Sequence, residues 1–182
     1  KPANPVRSNS YRQRLNATGA VSRAADNRDF NIYLPAQSDV TAPVILLSWN
    51  DDGPGPYTIT VSDIFNQVIF TKEVIDQFAW LEFKDFEYDR GLYLVEVTNQ
   101  NGETSGEIGL KKSNGLGDHY RELYNTSFGF AHNDYLQAIN DLINSQLIVD
   151  AFTLVEIAVM NYPESATLQD KRNEIWSMAG LH

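Results

Sequence analysis

The spacing of apolar residues changes abruptly near residue 115, and this change constrains the fold more than any other feature of the sequence. Between residues 30 and 113 apolar and polar residues alternate within short runs, whereas after residue 118 apolar residues recur every three or four positions. Alternation is typical of β-strands with one buried face, and the longer spacing is typical of amphipathic helices. The intervening stretch SNGLGD predicts a hinge. We therefore expect an all-β domain over 30–113 and an all-α segment over 118–182.

Seven runs rich in β-branched and aromatic residues predict the strands of the first domain. These runs are 30–34, 44–49, 57–63, 67–74, 78–83, 92–97 and 107–112. No helix-length segment intervenes to connect parallel strands. The sequence therefore predicts a seven-stranded antiparallel sandwich.

Alternation within four of these runs predicts which side chains face the core. The inward set is Ile45, Leu47, Trp49, Tyr57, Ile59, Val61, Ala79, Leu81, Phe83, Tyr93, Val95 and Val97. The same alternation turns Leu46, Phe78 and Trp80 outward, where they would form an apolar strip on one sheet. A solvated sheet face rarely carries such a strip, so we expect the helices or the N-terminal segment to cover part of it.

Two stretches of the β domain, LLSWNDDGPGPYTITVSD and RGLYLVEVTNQNGE, resemble the fibronectin type III or wider immunoglobulin-like sandwich. In that family a strand-B tryptophan precedes a strand-C tyrosine, and a Gly-x-Tyr-x-Val-x-Val strand leads into an Asn-Gly turn. The matching residues are Trp49, Tyr57, Gly91, Tyr93, Val95, Val97, Asn101 and Gly102. The resemblance covers residues 30–113 and implies a fold rather than a function, because such sandwiches have many roles.

The sequence of the helical segment contains signals for three helix starts and one helix end. Asp118 predicts a first helix, and Asp134 opens a capping-box spacing that predicts a second. The apolar residues of 147–162 lie on more than one helical face, so this third helix must be covered on more than one side. Pro163 ends that helix, and Ser165 is a suitable N-cap for a further one.

Residues 132–165 resemble one tetratricopeptide repeat. The residues that suit this pattern are Tyr135, Leu142, Ala151, Ala158 and Pro163, whereas Ile139 stands where a small residue is usual. The resemblance implies a three- to four-helix, tetratricopeptide-like unit. Because stable arrays need about three repeats, this unit should pack against the sandwich or continue into a larger assembly.

Charge is distributed unevenly along the chain. The formal net charge is -10, yet residues 1–28 hold six basic residues against the single acid Asp26, a local balance of +5. We expect residues 1–29 to form a flexible basic arm, because they show no sustained periodicity. The acidic remainder would repel phosphates, so we expect no nucleic-acid partner. No apolar run approaches the roughly 18 residues of a membrane-spanning helix.

The residues give little sign of chemistry. Cysteine is absent, and the three histidines, among them His119 and His132, lack metal-ligand spacing. Phosphate-binding, dinucleotide-binding and nucleophile-elbow motifs are also missing. Two acidic loops, containing Asp51 and Asp52 or Asp85, Glu87 and Asp89, could bind calcium, but neither has a calcium-loop spacing. We therefore expect no catalytic residue, cofactor or metal.

The sequence favours a non-enzymatic protein-interaction or scaffold module within a larger bacterial protein, with or without a membrane anchor. We expect a protein partner, and a periplasmic or extracellular location with the cytoplasm as the alternative. The candidate interaction surface is Leu46, Phe78, Trp80 and Tyr135. The alternative function is polysaccharide binding, with Trp80 and its aromatic neighbours as a sugar-stacking platform. An enzyme built on loop carboxylates is the least favoured hypothesis.

The covered apolar strip leads to a stability prediction. Replacing Trp80 with lysine should lower the thermal unfolding midpoint by several degrees, because it puts a charge where apolar area is removed from water. Circular dichroism melting of both proteins measures the effect. An unchanged midpoint would contradict the covering of the strip.

Overall fold

The computed structural model describes residues 30–51, 53–86, 91–125 and 129–179. The predicted basic arm, 1–29, lies outside these ranges. The strands are β1 (Asn31–Ile32), β2 (Gln37–Val40), β3 (Val44–Asn50), β4 (Tyr57–Ser62), β5 (Val68–Val74), β6 (Phe78–Glu82), β7 (Gly91–Thr98) and β8 (Ile108–Lys112). The α-helices are α1 (Leu116–His119), α2 (His132–Asn144), α3 (Ile148–Asn161) and α4 (Ala166–Met178). Two 3₁₀ turns cover Phe83–Asp85 and Arg121–Tyr124.

The strands form a β-sandwich of two sheets. One sheet has the order β1-β3-β6, and the other has the order β2-β8-β7-β4-β5. All twelve side chains predicted to face inward are buried, so the inward half of the alternation is confirmed. Between the sheets, Trp49 on β3 meets Tyr57 on β4 edge to face, with ring centroids 5.3 Å apart.

The structure contains a strand that the sequence did not predict. β2 pairs in parallel with β8, which corrects the expectation of seven antiparallel strands. Its sequence, QSDV, is mostly polar, and only Val40 is buried. A short edge strand of this kind is held mainly by backbone hydrogen bonds, so it shows no apolar alternation.

β1 and β2 belong to different sheets, and this switch leaves the edge of β3 open. β1 stays beside β3 only as far as Tyr33, whose N–H donates to the Ser48 carbonyl at 2.8 Å. On the β6 side of β3, the Trp49 N–H donates to the Gln77 carbonyl. Successive N–H groups of a strand point to opposite edges, and Leu46 is an odd number of residues from Trp49, so the Leu46 N–H points to the open edge. A buried N–H without an acceptor costs about 1–3 kcal/mol.

The helices pack as a layered unit around α3. α3 contacts α2, α4, β2 and β3, and its residues from Val149 to Val155 are all buried. The prediction that this helix is covered on more than one side is therefore confirmed. It ends at Asn161, before Pro163, and the Ser165 hydroxyl caps α4 by accepting from the Leu168 N–H at 3.3 Å.

Two predicted helix starts are corrected. The single helix expected after Asp118 is instead the short α1 and a 3₁₀ turn, separated at Tyr120, where φ is -93° and ψ is 18°. α2 begins at His132, so Asp134 is not its N-cap. Asp134 lies inside the first turn, where its negative charge interacts favourably with the positive end of the helix dipole. In the part of the chain that the structure describes, no helix combines the length and hydrophobicity needed to cross a membrane.

Side chains of α3 provide acceptors for the backbone groups that the strand switch leaves open. Asp150 Oδ2 accepts from the Thr41 N–H at 2.9 Å, the Thr41 hydroxyl at 2.5 Å and the Ala42 N–H at 3.1 Å. One turn further on, Thr153 Oγ1 accepts from the Leu46 N–H at 3.1 Å. We call these five buried residues, Thr41, Ala42, Leu46, Asp150 and Thr153, the strand-switch junction.

Lys112 extends this junction. Its ammonium group donates to the carbonyls of Thr41 at 2.9 Å and Ser113 at 3.0 Å. The N–H of Gly117 in α1 donates to Thr41 Oγ1 at 2.7 Å. The end of the sandwich and the start of the helical segment are therefore joined through one buried hydrogen-bond network.

The role of Thr153 can be tested with a nearly isosteric change. Thr153→Val should lower the free energy of unfolding by about 1–3 kcal/mol, because it leaves the buried Leu46 N–H without an acceptor. Urea unfolding followed by circular dichroism measures the loss. Thr167→Val on the exposed start of α4 is the matched control. Equal losses of unfolding free energy in the two variants would contradict the role of Thr153 in the junction.

Candidate interaction surface

β5 forms one edge of the five-stranded sheet. It pairs with β4 on one side, and within the described ranges no strand pairs with its other side. An edge strand presents a row of backbone N–H and C=O groups that a further strand can pair with. β5 is therefore a possible site for strand addition by geometry alone.

Exposed apolar side chains concentrate at the two ends of this strand. Among the described residues, five of the seven large apolar side chains that are exposed lie between positions 64 and 78. We call these five residues the edge patch: Ile64, Phe65, Val68, Ile75 and Phe78. The first three lie near the start of β5 and the other two lie beyond its end. Phe65 is 78% exposed and Ile75 is 80% exposed, so both side chains are available for contact.

The turn between β4 and β5 holds Phe65 in a fixed position. Asp63 Oδ1 accepts from the N–H groups of Phe65 and Gln67, each at 2.8 Å. The Asp63 N–H also donates to the Gln67 carbonyl at 3.0 Å, and Asn66 takes a positive φ of 62°. Asparagine tolerates this left-handed conformation better than most residues. The turn therefore presents Phe65 to solvent from a hydrogen-bonded frame.

Lys72 connects β5 to the opposite sheet. Its ammonium group donates to the Trp80 carbonyl on β6 at 3.1 Å. The side chain is partly buried, so its charge is directed toward the gap between the sheets. Lys72 therefore places no positive charge on the outer side of β5.

The structure separates the four residues of the predicted surface. Phe78 is 49% exposed and belongs to the edge patch, and Trp80 is partly buried against the core. Leu46 lies in the strand-switch junction, and Tyr135 is fully buried, with its hydroxyl accepting from Asn161 Nδ2 at 3.1 Å. Leu46 and Tyr135 are therefore core residues, because α3 covers the first and the helical unit encloses the second.

Sequence reasoning missed Phe65 and Ile75. Both lie in connections between strands, where the pattern of alternation assigns no face. The available signal was their type, since a large apolar residue in a connection between strands has no sheet face to bury it. Of the five residues of the edge patch, only Phe78 was predicted to face outward.

The histidines and loop acids do not form a common centre in the described ranges, where no group of three or more potential metal ligands occurs. His132 Nε2 lies 2.7 Å from Ser165 Oγ. His119 lines a surface cleft of about 260 Å³ together with Tyr120, Glu122, Leu123, Asp134 and Gln137. Asp51 accepts from Asn99 Nδ2 at 3.3 Å. Of the other loop acids, Asp85 is exposed, and Asp52, Glu87 and Asp89 lie outside the described residues.

Asp150 is the most perturbed carboxyl group of the structure's described part. Burial raises its pKa, while the hydrogen bonds from Thr41 and Ala42 and the charge of Lys112 oppose that rise. Its second oxygen, Oδ1, has no hydrogen-bond partner among the described residues. The side chain is fully buried, so the group acts on the fold and not on a ligand from solvent.

Comparisons with known proteins add no function. No protein-family profile matches the sequence, and no curated protein matches it. A complex of the pro- and mature domains of Porphyromonas gingivalis RgpB is similar at 20% identity over 46% of this chain and 19% of that chain, with a TM-score of 0.34.

Two smaller solved structures are similar over most of their own length. One is a DUF3244 family protein with an immunoglobulin-like β-sandwich fold from Bacteroides vulgatus, at 15% identity over 37% of this chain and 84% of that chain, with a TM-score of 0.28. The other contains fibronectin(III)-like modules of Clostridium thermocellum CbhA, at 12% identity over 47% of this chain and 94% of that chain, with a TM-score of 0.30. At TM-scores below 0.5 these likenesses assign neither a family nor a function.

The raised pKa of Asp150 predicts a pH dependence. The folded state binds this proton more readily than the unfolded state, so the contribution of Asp150 to stability falls as pH rises from its ordinary pKa through the raised one. Asp150→Asn does not titrate but keeps an oxygen acceptor. The stability of this variant relative to the wild type should therefore increase with pH across that window.

Thermal unfolding of both proteins between pH 3 and pH 8 measures the difference. Asp170→Asn, on the exposed side of α4, is the control for removal of a solvated carboxylate. A difference in thermal stability between Asp150→Asn and the wild type that stays constant with pH would contradict the prediction.

Proposed function

We propose that this chain is a non-enzymatic binding module in which an extended segment of a partner protein adds to the sandwich as a further strand beside β5. In this proposal it works within a larger bacterial protein located outside the cytoplasm, with or without a membrane anchor. The tetratricopeptide-like interpretation of the helical segment is part of the same proposal, with the helices bracing the sandwich.

The observation that carries the proposal is the open edge of β5 with exposed apolar residues at both ends. β5 has seven residues, which corresponds to about 23 Å of extended chain. A partner strand of similar length would form backbone hydrogen bonds along β5 and place apolar side chains near Phe65 and Ile75. In strand addition the backbone bonds supply affinity, and the side chains at the edge supply specificity.

The other side of the sandwich supports this assignment by contrast. There, α3 contacts β2 and β3 and supplies acceptors to the junction residues Thr41, Ala42 and Leu46. On that side α3 therefore occupies the open edge of β3 and the residues that follow β2. Trp80 is partly buried, which reduces the ring area available for stacking on a sugar, so the geometry favours protein binding over the polysaccharide alternative.

A peptide selection tests the proposal while the partner is still unidentified. The full chain is immobilised and exposed to a phage-displayed peptide library, with the Phe65→Ser, Ile75→Ser double variant as the counter-selection. Selected peptides should bind the wild type and lose about tenfold or more in affinity to the variant, since exposed apolar anchors of this size contribute on the order of 1 kcal/mol each. Hydrogen exchange should show protection of the β5 amides when peptide is added.

Both substitutions lie on exposed side chains, so folding should change by less than about 0.5 kcal/mol. Met160→Ser, at a 57% exposed position of α3, is the matched control and should leave binding unchanged. Peptides that bind the double variant equally well, or that protect helical amides instead of β5, would contradict the proposal.

A further inference from the structure

We infer that the segment that binds beside β5 is positively charged: an extended stretch in which lysine or arginine alternates with apolar residues. This inference rests on the proposed strand addition and specifies the chemistry of the partner. It follows from the charges that surround the edge patch.

Acidic side chains occur near both ends of the edge. Asp63 stands at the turn beside Phe65, Glu73 lies on β5 itself, and Asp76 follows Ile75. Glu73 and Asp76 are exposed, and no ion pair within the described part of the chain involves either of them. Each end of the edge therefore combines exposed apolar area with a carboxylate.

The one cation of β5 does not neutralise this surface. Lys72 is partly buried and donates to the Trp80 carbonyl between the sheets. A strand that pairs with β5 meets the carboxylates of Glu73 and Asp76 on its accessible side. Opposite charges on paired strands stabilise the pairing, and like charges directly opposite each other destabilise it.

The same charges argue against the β5 edge of a second copy as the occupant. Two β5 edges brought together would each carry Asp63, Glu73 and Asp76, and their carboxylates would repel. The net charge of -10 adds a long-range repulsion between copies and a long-range attraction for basic segments. A basic partner segment would be attracted both by the carboxylates at the edge and by the net negative charge of the chain.

Two labelled peptides test the inference. The first is the nonapeptide Lys-Val-Thr-Val-Lys-Val-Thr-Val-Lys, and the second replaces its three lysines with glutamates. In fluorescence anisotropy titrations of the full chain at low salt, the basic peptide should bind about tenfold or more tightly than the acidic one, because several favourable pairs replace several unfavourable ones. The preference should shrink at high salt, where surface charges are screened.

Charge variants locate the effect. Glu73→Gln with Asp76→Asn should weaken binding of the basic peptide about three- to tenfold, whereas Asp170→Asn on α4 should leave it unchanged. The composition of the peptides selected from the phage library is an independent readout and should be enriched in lysine and arginine.

The possible outcomes separate the two proposals. Equal binding of both peptides that still depends on Phe65 and Ile75 would overturn the charge preference and leave strand addition standing. Absence of binding by either peptide, or selected peptides without basic residues, would also overturn the charge preference. Failure of the library selection itself would overturn strand addition. A dimer in sedimentation velocity that disappears in the Phe65→Ser, Ile75→Ser variant would assign the edge to a second copy.

Discussion

The buried carboxylate of Asp150 is the contact on which the arrangement of this chain depends. It accepts hydrogen bonds from the N–H groups of Thr41 and Ala42 and from the Thr41 hydroxyl at the place where the chain has moved from one sheet to the other. Burial of the charge is unfavourable and raises the pKa of Asp150, and these donors and Lys112 offset part of that cost. The helical segment thus supplies acceptors to three backbone N–H groups of the sandwich.

This contact makes the two sides of the sandwich different. Where α3 lies against β2 and β3, the edge groups are paired with side chains, and Thr153 takes the N–H that no strand reaches. On the far side, β5 keeps an open edge within the described residues, with Phe65 held outward by the Asp63 turn. One side is therefore covered by the helices, and the other exposes the apolar and acidic groups on which the proposed binding of an extended basic segment rests.

The candidate site was only partly predictable. Strand alternation turned Phe78 outward correctly, because a strand residue must face one side of its sheet or the other. The same rule turned Leu46 outward, yet Leu46 is 8% exposed because a helix covers it. Alternation does not apply to Phe65 and Ile75, because both lie in turns. Their exposure is evident only from the three-dimensional positions of the neighbouring strands.

The sequence by itself determined the local features: the inward-facing side chains of β3, β4, β6 and β7, the end of α3 before Pro163, and the cap of α4 at Ser165. These depend on backbone geometry and on neighbours a few residues away. Only the tertiary structure decided the parallel pairing of β2 and the burial of Asp150. Thr41 and Asp150 lie 109 positions apart, and no local pattern records which distant surface will supply an acceptor to an open strand edge.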